Sequence, residues 1–165
     1  MNWTKLSAIA EILSSVAILA TLAFLMIGLQ QNTDALQTSA RQTALQSDIE
    51  YLRAGMDDPS LWQIPFKEEL TDEEAIRLSS YLFGFASMRH HDWQQHRAGL
   101  LDEASWAMYQ GGLAWQFSMP RTRRWWEYQV GNDLVFWEPG FVELVNSLLE
   151  NQPILTTNPD IEAFR

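Results

Sequence analysis

The side chains most suggestive of metal chemistry are three histidines and an aspartate near the middle of the chain: His90, His91, Asp92 and His96. Imidazole and carboxylate groups are common zinc ligands. However, His96 follows His90 by six residues and His91 by five, whereas the two ligands of an H-E-x-x-H helix are four apart. We therefore interpret the cluster as the polar end of a helix, where imidazolium charge suits the helix dipole. A membrane-tethered enzyme or ligand-binding site that uses His90, His91 and Asp92 is an alternative.

Other catalytic signatures are missing from the sequence. No G-x-S-x-G elbow positions a serine nucleophile, and no glycine-rich loop follows a strand pattern. The chain has no cysteine, which excludes disulfides and thiolate metal sites. The sequence thus predicts no enzyme activity and no cofactor.

A second group of residues could bind a partner. Arg121, Arg123 and Arg124 stand beside Trp125 and Trp126. This pairing could bind lipid phosphates with the indoles at the membrane interface, or form a protein hot spot, where Arg and Trp are enriched. We favour a third interpretation, in which the tryptophans are core residues and the arginines pair with the domain's many acids.

An apolar run from Leu6 to Leu29 begins the chain. It holds 24 residues with one charge, Glu11. As a helix it would be about 36 Å long, enough to cross a hydrocarbon core of about 30 Å. Only one basic residue precedes it, and no clear cleavage site follows. The run therefore predicts an uncleaved transmembrane anchor, residues 1–29.

One face of this anchor is made of small residues, which permit close helix packing in lipid. Glu11 borders that face and is costly within a membrane. It has either an interfacial role or a role as a protonatable or partner-pairing carboxylate. The predicted packing residues are Ala10, Glu11, Ser14, Ala17, Thr21 and Gly28.

The anchor continues into a helical extension, residues 30–56, because no proline interrupts it. Leu45, Ile49, Leu52 and Met56 are spaced by 4, 3 and 4 residues, the spacing of an apolar helical stripe. We expect one helix from about Trp3 to about Met56, ended by Pro59. Its outer half should pack on the domain or bundle with copies of itself.

The sequence predicts a soluble domain of about four helices over residues 57–150. It predicts an extended C-terminal tail over residues 151–165. Thr71 and Glu74 form a capping box. Gly99 suits a left-handed helix end, and Asp102 is the N-cap of the following helix. Prolines 120 and 139 begin two further helices. The fold class is therefore all-α.

The net charge of −10 lies in residues 30–165, since Lys5 and Glu11 cancel. This charge disfavours nucleic acid as a partner.

Four sequence pieces resemble a widespread uncharacterised group of small bacterial single-span membrane proteins. They are A-x-x-E-I-L in the anchor, L-Q-Q-N-T-D-A-L at 29–36, G-L-L-D-E-x-x-W at 99–106 and R-R-W-W-E at 123–127. The resemblance covers roughly residues 3–150 and brings no known activity. That group usually has arginines directly after the span, which implies a cytoplasmic domain. Here the exit carries Gln30, Gln31 and Asp34, and its first basic residue is Arg41.

These observations predict a membrane-anchored helical interaction protein in the bacterial inner membrane, with the domain in the cytoplasm. Its partners would be the lipid bilayer and either copies of itself or the subunits of a larger membrane complex. A second alternative is an ion or proton pathway around Glu11 in an oligomer of spans.

Overall fold

The computed structural model describes residues 3–132 and 137–163, and within these ranges it contains helices and turns but no strand. The all-α prediction is confirmed. The α-helices are α1 (Trp3–Asp57), α2 (Asp72–Arg97), α3 (Glu103–Gln116), α4 (Pro120–Gly131), α5 (Pro139–Glu150) and α6 (Pro159–Glu162). Two short 3₁₀ helices, Pro59–Trp62 and Ile64–Phe66, lie between α1 and α2.

Helix α1 has the bounds that the sequence predicts, to within a residue at its end. It ends before Asp58, whose backbone (φ −131°, ψ 84°) lies outside the α-helical region that the following proline disfavours. The Asp58 side chain accepts from the backbone N–H of Ser60 at 3.2 Å. The chain divides into two compact units, Met1–Ser39 and Ala40–Arg165.

The predicted helix ends of the second unit are present. Thr71 and Glu74 form the reciprocal capping box at the start of α2. Gly99 has a φ of 73°, the left-handed conformation that glycine adopts without steric cost. The Asp102 carboxylate accepts from the backbone N–H of Ser105 at 2.8 Å and caps α3. Local hydrogen bonding thus sets where α2 ends and α3 begins.

The core of the second unit is largely aromatic. Phe117, Trp126 and Phe141 are essentially inaccessible to solvent. Trp126 lies between the other two rings, with centroid distances of 5.2 Å and 6.1 Å. Leu82, Leu113 and Val145 complete the same buried cluster. Helices α2, α3, α4 and α5 therefore meet around a single core.

The C-terminal segment differs from the extended tail predicted for residues 151–165. It contains the one-turn helix α6, and long-range hydrogen bonds tie it to the domain. The backbone N–H of Leu155 donates to the carbonyl of Ser118 at 2.8 Å, and the Asn158 side chain donates to the carbonyl of Trp62 at 3.1 Å. These bonds fix the segment to the surface of the domain.

Candidate interaction surfaces

The second unit exposes an apolar stripe on α1, formed by Leu45, Ile49, Leu52 and Met56 (the α1 stripe). Their exposed fractions are 59%, 43%, 53% and 78%. These are the residues whose spacing predicts one apolar face, and that face is turned towards solvent. The second unit does not use the α1 stripe for its own packing.

A different face of the same helical segment packs on the domain. Ala44 is buried. The Tyr51 hydroxyl donates to Oε1 of Gln116 on α3 at 2.8 Å, and the Tyr51 ring stacks on Tyr81 of α2 at 4.6 Å between centroids. The outer half of α1 therefore packs on the domain through one face, which is one of the two predicted arrangements. A second face stays open for a further contact.

The segment from residue 40 to residue 57 is also held by a buried ionic cluster. Arg89 of α2 pairs with Asp48 of α1 and, at 3.3 Å, with Asp92 one turn further along α2. The Arg89 guanidinium also lies 4.2 Å from the ring centroid of Tyr109 on α3, close enough for a cation–π contact. Arg89 and Asp92 are buried, whereas Asp48 is about a quarter exposed. One arginine therefore links α1, α2 and α3.

One carboxyl of this cluster, that of Asp92, has a raised pKa. Burial raises the pKa of Asp92 to about 6, with Arg89 acting in the opposite direction and Asp48 adding to the rise. The Arg89 charge is thus shared between two carboxylates, of which Asp48 is the more hydrated.

The two adjacent tryptophans of α4 lie in or beside the core, as the favoured interpretation predicts. Trp126 is buried, and its indole N–H donates to Oδ1 of Asn146 at 2.9 Å. Trp125 is half-buried, and its indole N–H donates to the Ser79 hydroxyl at 3.0 Å. Their polar atoms are satisfied within the second unit.

The neighbouring arginines bind backbone carbonyls instead of the acids that this interpretation assigns to them. Arg121 donates to the carbonyls of Lys67, at 2.6 Å, and Glu68. Arg123 donates to the carbonyls of Phe117 and Gln152, both at 3.1 Å. Arg124 is exposed. Within the part of the chain that the structure describes, Arg124 has neither a hydrogen bond nor an ion pair.

A shallow, mainly apolar groove of about 260 Å³ lies beside Arg124, between α2 and α4. Leu78, Trp125 and Tyr128 contribute to its lining, and Arg121 and Arg124 lie at the same groove. Tyr128 is 59% exposed. An apolar groove with an unpaired cation can accept an apolar group that carries a negative charge.

The side chains of His90 and His91 lie in different environments. His90 packs among Trp93, Trp137 and Phe141, with its centroid 4.9 Å from that of Phe141. Burial lowers the pKa of His90, and the Glu138 carboxylate, 3.6 Å from Nε2, opposes the shift. His91 is exposed.

The other two members of the group lie elsewhere. His96 stacks on Trp106 at 5.4 Å, and Asp92 belongs to the ionic cluster. No group of three His, Asp or Glu side chains within 3–132 and 137–163 is arranged to hold a metal ion.

The first unit consists of the amino-terminal part of α1. Between Ser7 and Asp57 the helix contains an 18-residue window of mean hydropathy 2.5 with no residue buried. By length and composition it could cross a membrane, and a signal sequence passes the same test. The six predicted packing residues, Ala10, Glu11, Ser14, Ala17, Thr21 and Gly28, are all exposed. The Thr21 hydroxyl donates to the carbonyl of Ala17 at 2.9 Å.

Sequence reasoning missed Asp48 and Arg89, which are 41 positions apart. Charged residues on helices resemble a solvated face until the partner helix is known.

No family model, curated protein or solved structure matches the chain.

Proposed function

We propose that this protein is a membrane-anchored helical interaction protein that acts within a complex. The complex is made either of copies of the chain or of the chain and the subunits of a larger membrane assembly. The observation that carries the proposal is the α1 stripe, an apolar face left in solvent on a helical segment whose other face is already packed.

An exposed stripe of this kind favours a protein contact. Single exposed apolar residues are ordinary, but contiguous apolar patches on soluble surfaces are typical of interaction sites. Removing apolar surface from water contributes about 25 cal/mol for each Å². Four large side chains in one row therefore represent a substantial favourable free energy that the described fold does not use.

Lipid is a poor candidate for covering the α1 stripe. Fifteen residues separate Leu29, the last residue of the apolar run, from Leu45. Arg41, Glu50 and Arg53 stand in or next to the stripe segment, and charged side chains are costly in hydrocarbon. A protein surface can combine apolar contact with charge pairing, which hydrocarbon cannot.

The groove beside Arg124 supports a second contact surface on the same domain. The domain is strongly acidic, so a cation without a partner is unusual in it. Because Arg121, Arg123 and Trp126 are engaged within the fold, only Arg124, Trp125 and Tyr128 remain of this region for an external partner. This contact would be small.

The apolar helix of the first unit would hold the protein in the bacterial inner membrane. The resemblance to the single-span group favours a cytoplasmic domain, although Gln30, Gln31 and Asp34 stand where that group usually has arginines. Confinement to a membrane raises the effective concentration of binding partners, so modest surfaces can sustain a complex.

The proposal is tested on the full chain in bacterial membranes. The protein should resist extraction from membranes by alkaline carbonate. In a mild detergent it should then migrate in a complex larger than the 19.0 kDa protomer with its bound detergent. A carbonate-soluble protein would contradict the anchor, and a monomer with no co-purifying subunit would contradict the interaction role.

A further inference from the structure

The α1 stripe has the heptad pattern of a short coiled coil. Leu45 and Leu52 occupy d positions, and Ile49 and Met56 occupy a positions. β-branched residues at a with leucine at d favour two-stranded parallel coils, a preference that Ile49 fits. The polar residue Gln42 occupies the preceding a position, so the seam begins at Leu45. The pattern runs from Leu45 to Met56, slightly under two heptads, and α1 ends at Asp57.

The charges that flank this seam are complementary between two copies. In this register Asp48 is a g residue and Arg53 is the e residue of the next heptad. In a parallel coiled coil, a g residue of one helix faces this e residue of the other helix, and oppositely charged pairs there set partner and orientation. Asp48 pairs with Arg89 of its own chain, and the exposed quarter of its side-chain surface is what it offers to such a contact.

Arg53 is also available for this pairing. Arg41, Lys67, Arg77, Arg89 and Arg97 of the second unit form ion pairs, and Arg121 and Arg123 bind carbonyls. Among the described residues of this unit, Arg53 and Arg124 are the basic side chains without a partner. Arg53 lies directly beside the α1 stripe.

We infer that the partner of the α1 stripe is the same stripe of a second copy, in a short parallel coiled coil flanked by Asp48–Arg53 pairs between the two chains. This inference rests on the proposed function and specifies its partner. Two anchors inserted in the same direction favour a parallel arrangement. Two heptads bury little surface compared with a stable soluble dimer, so the association depends on confinement in the membrane.

The absence of cysteine allows a direct test on the full chain. Each of the variants Leu45→Cys and Leu52→Cys would place one thiol from each copy opposite the other across the seam. Their Cα atoms would then lie within about 7 Å, the largest separation that a disulfide can bridge. Ala54→Cys is the matched control, because it is exposed on the same helix but at an f position, away from the seam. Each variant is oxidised mildly in native membranes.

The inference predicts a dimer band for Leu45→Cys and Leu52→Cys, with a several-fold weaker band for Ala54→Cys. Equal bands from all three variants would mean that the helices are merely near each other and would overturn the inference. So would the absence of a dimer band from both seam variants.

A charge variant tests the proposed pairs. In the Leu52→Cys background, Arg53→Glu places a glutamate opposite Asp48 and should remove most of the dimer band, whereas Arg53→Lys should keep it. Arg97→Glu makes the same change in net charge at an exposed position on α2, outside both proposed contact surfaces, and should have no effect. Equal losses from Arg53→Glu and Arg97→Glu, or no loss from Arg53→Glu, would contradict the pairing.

Failure of this inference is distinguishable from failure of the proposed function. If the seam cysteines do not crosslink but the native complex remains larger than the protomer, the partner is a different protein and only the self-association is wrong. If the native complex is also absent, the interaction role itself is wrong.

Discussion

Arg89 and Asp92 stand three residues apart on α2, with both side chains buried and their charged atoms 3.3 Å apart. Asp48 of α1 shares the same guanidinium. The cluster therefore ties the stripe-bearing segment of α1 to the domain, and it supplies predictions that do not depend on the partner.

The buried carboxyl of Asp92 should make stability depend on pH. Its pKa is raised from 3.8 to about 6, mainly by burial, so the folded state binds a proton more tightly than the unfolded state. Stability from this group should therefore increase as the pH falls from 7 through 6 and level off below about 4. The contribution of Asp92 to the free energy of unfolding should differ by about 3 kcal/mol between these two limits of pH.

This effect can be isolated with Asp92→Asn, which removes the titrating group. The free energy of unfolding is measured in urea by tryptophan fluorescence, on the full chain in mild detergent. The free energy of unfolding of the wild type minus that of Asp92→Asn should increase from pH 7 to pH 5. Groups such as Asp58 and Asp102, whose pKa values are lowered, act at lower pH and cancel in the difference. A flat difference would show that Asp92 has an ordinary pKa.

Removal of Arg89 should be strongly destabilising. Arg89→Gln leaves Asp48 and Asp92 without their common counter-ion, a loss typically of about 3–5 kcal/mol in buried pairs. Arg89→Lys keeps the charge but loses the planar contact with Tyr109 and the two-way pairing, so it should lie between Arg89→Gln and the wild type. The same urea unfolding measures both. Equal stability of Arg89→Gln and the wild type would mean that the cluster does not hold α1.

A glycine pair separates a steric constraint from helix propensity. Gly55 of α1 is buried, and a Cβ there would overlap the Trp62 indole, which is itself in contact with Tyr51 and Trp115. Gly55→Ala should therefore destabilise by about 1–3 kcal/mol through overpacking. At Gly111 a Cβ would meet no atom within 4 Å, so Gly111→Ala should stabilise α3 by about 0.5–1 kcal/mol. Both variants are measured by urea unfolding. If Gly55→Ala and Gly111→Ala both stabilised the protein, the Trp62 indole would have to move aside freely.

The two adjacent histidines should behave differently. His90→Ala removes a ring packed among three aromatic residues and should cost about 1–3 kcal/mol, whereas His91→Ala on the exposed side should change stability by less than about 0.5 kcal/mol. Neither should alter the mass of the native complex. A loss of the complex in His91→Ala at unchanged stability would instead favour a functional site at His90, His91 and Asp92.

The sequence predicts elements whose signals are local. The Thr71–Glu74 capping box, the left-handed Gly99 and the Asp102 cap depend on neighbours within a few residues, and each is present. The ionic cluster could not be predicted, because Asp48 and Arg89 meet only when α1 packs on α2. Likewise, the carbonyls bound by Arg121 come from a connector whose course the sequence does not specify. The apolar spacing of the α1 stripe is visible in the sequence, but its exposure depends on which other face the domain covers.

The most direct test of the central claim is the double variant Ile49→Gln with Leu52→Gln on the full chain. Both residues are exposed, so the free energy of unfolding should stay within about 0.5 kcal/mol of the wild type. The detergent-extracted complex should nevertheless fall in mass, whereas Met108→Gln, at an exposed apolar position on α3, should leave it intact. A double variant that keeps the wild-type complex would contradict the assignment of the α1 stripe as the interaction surface.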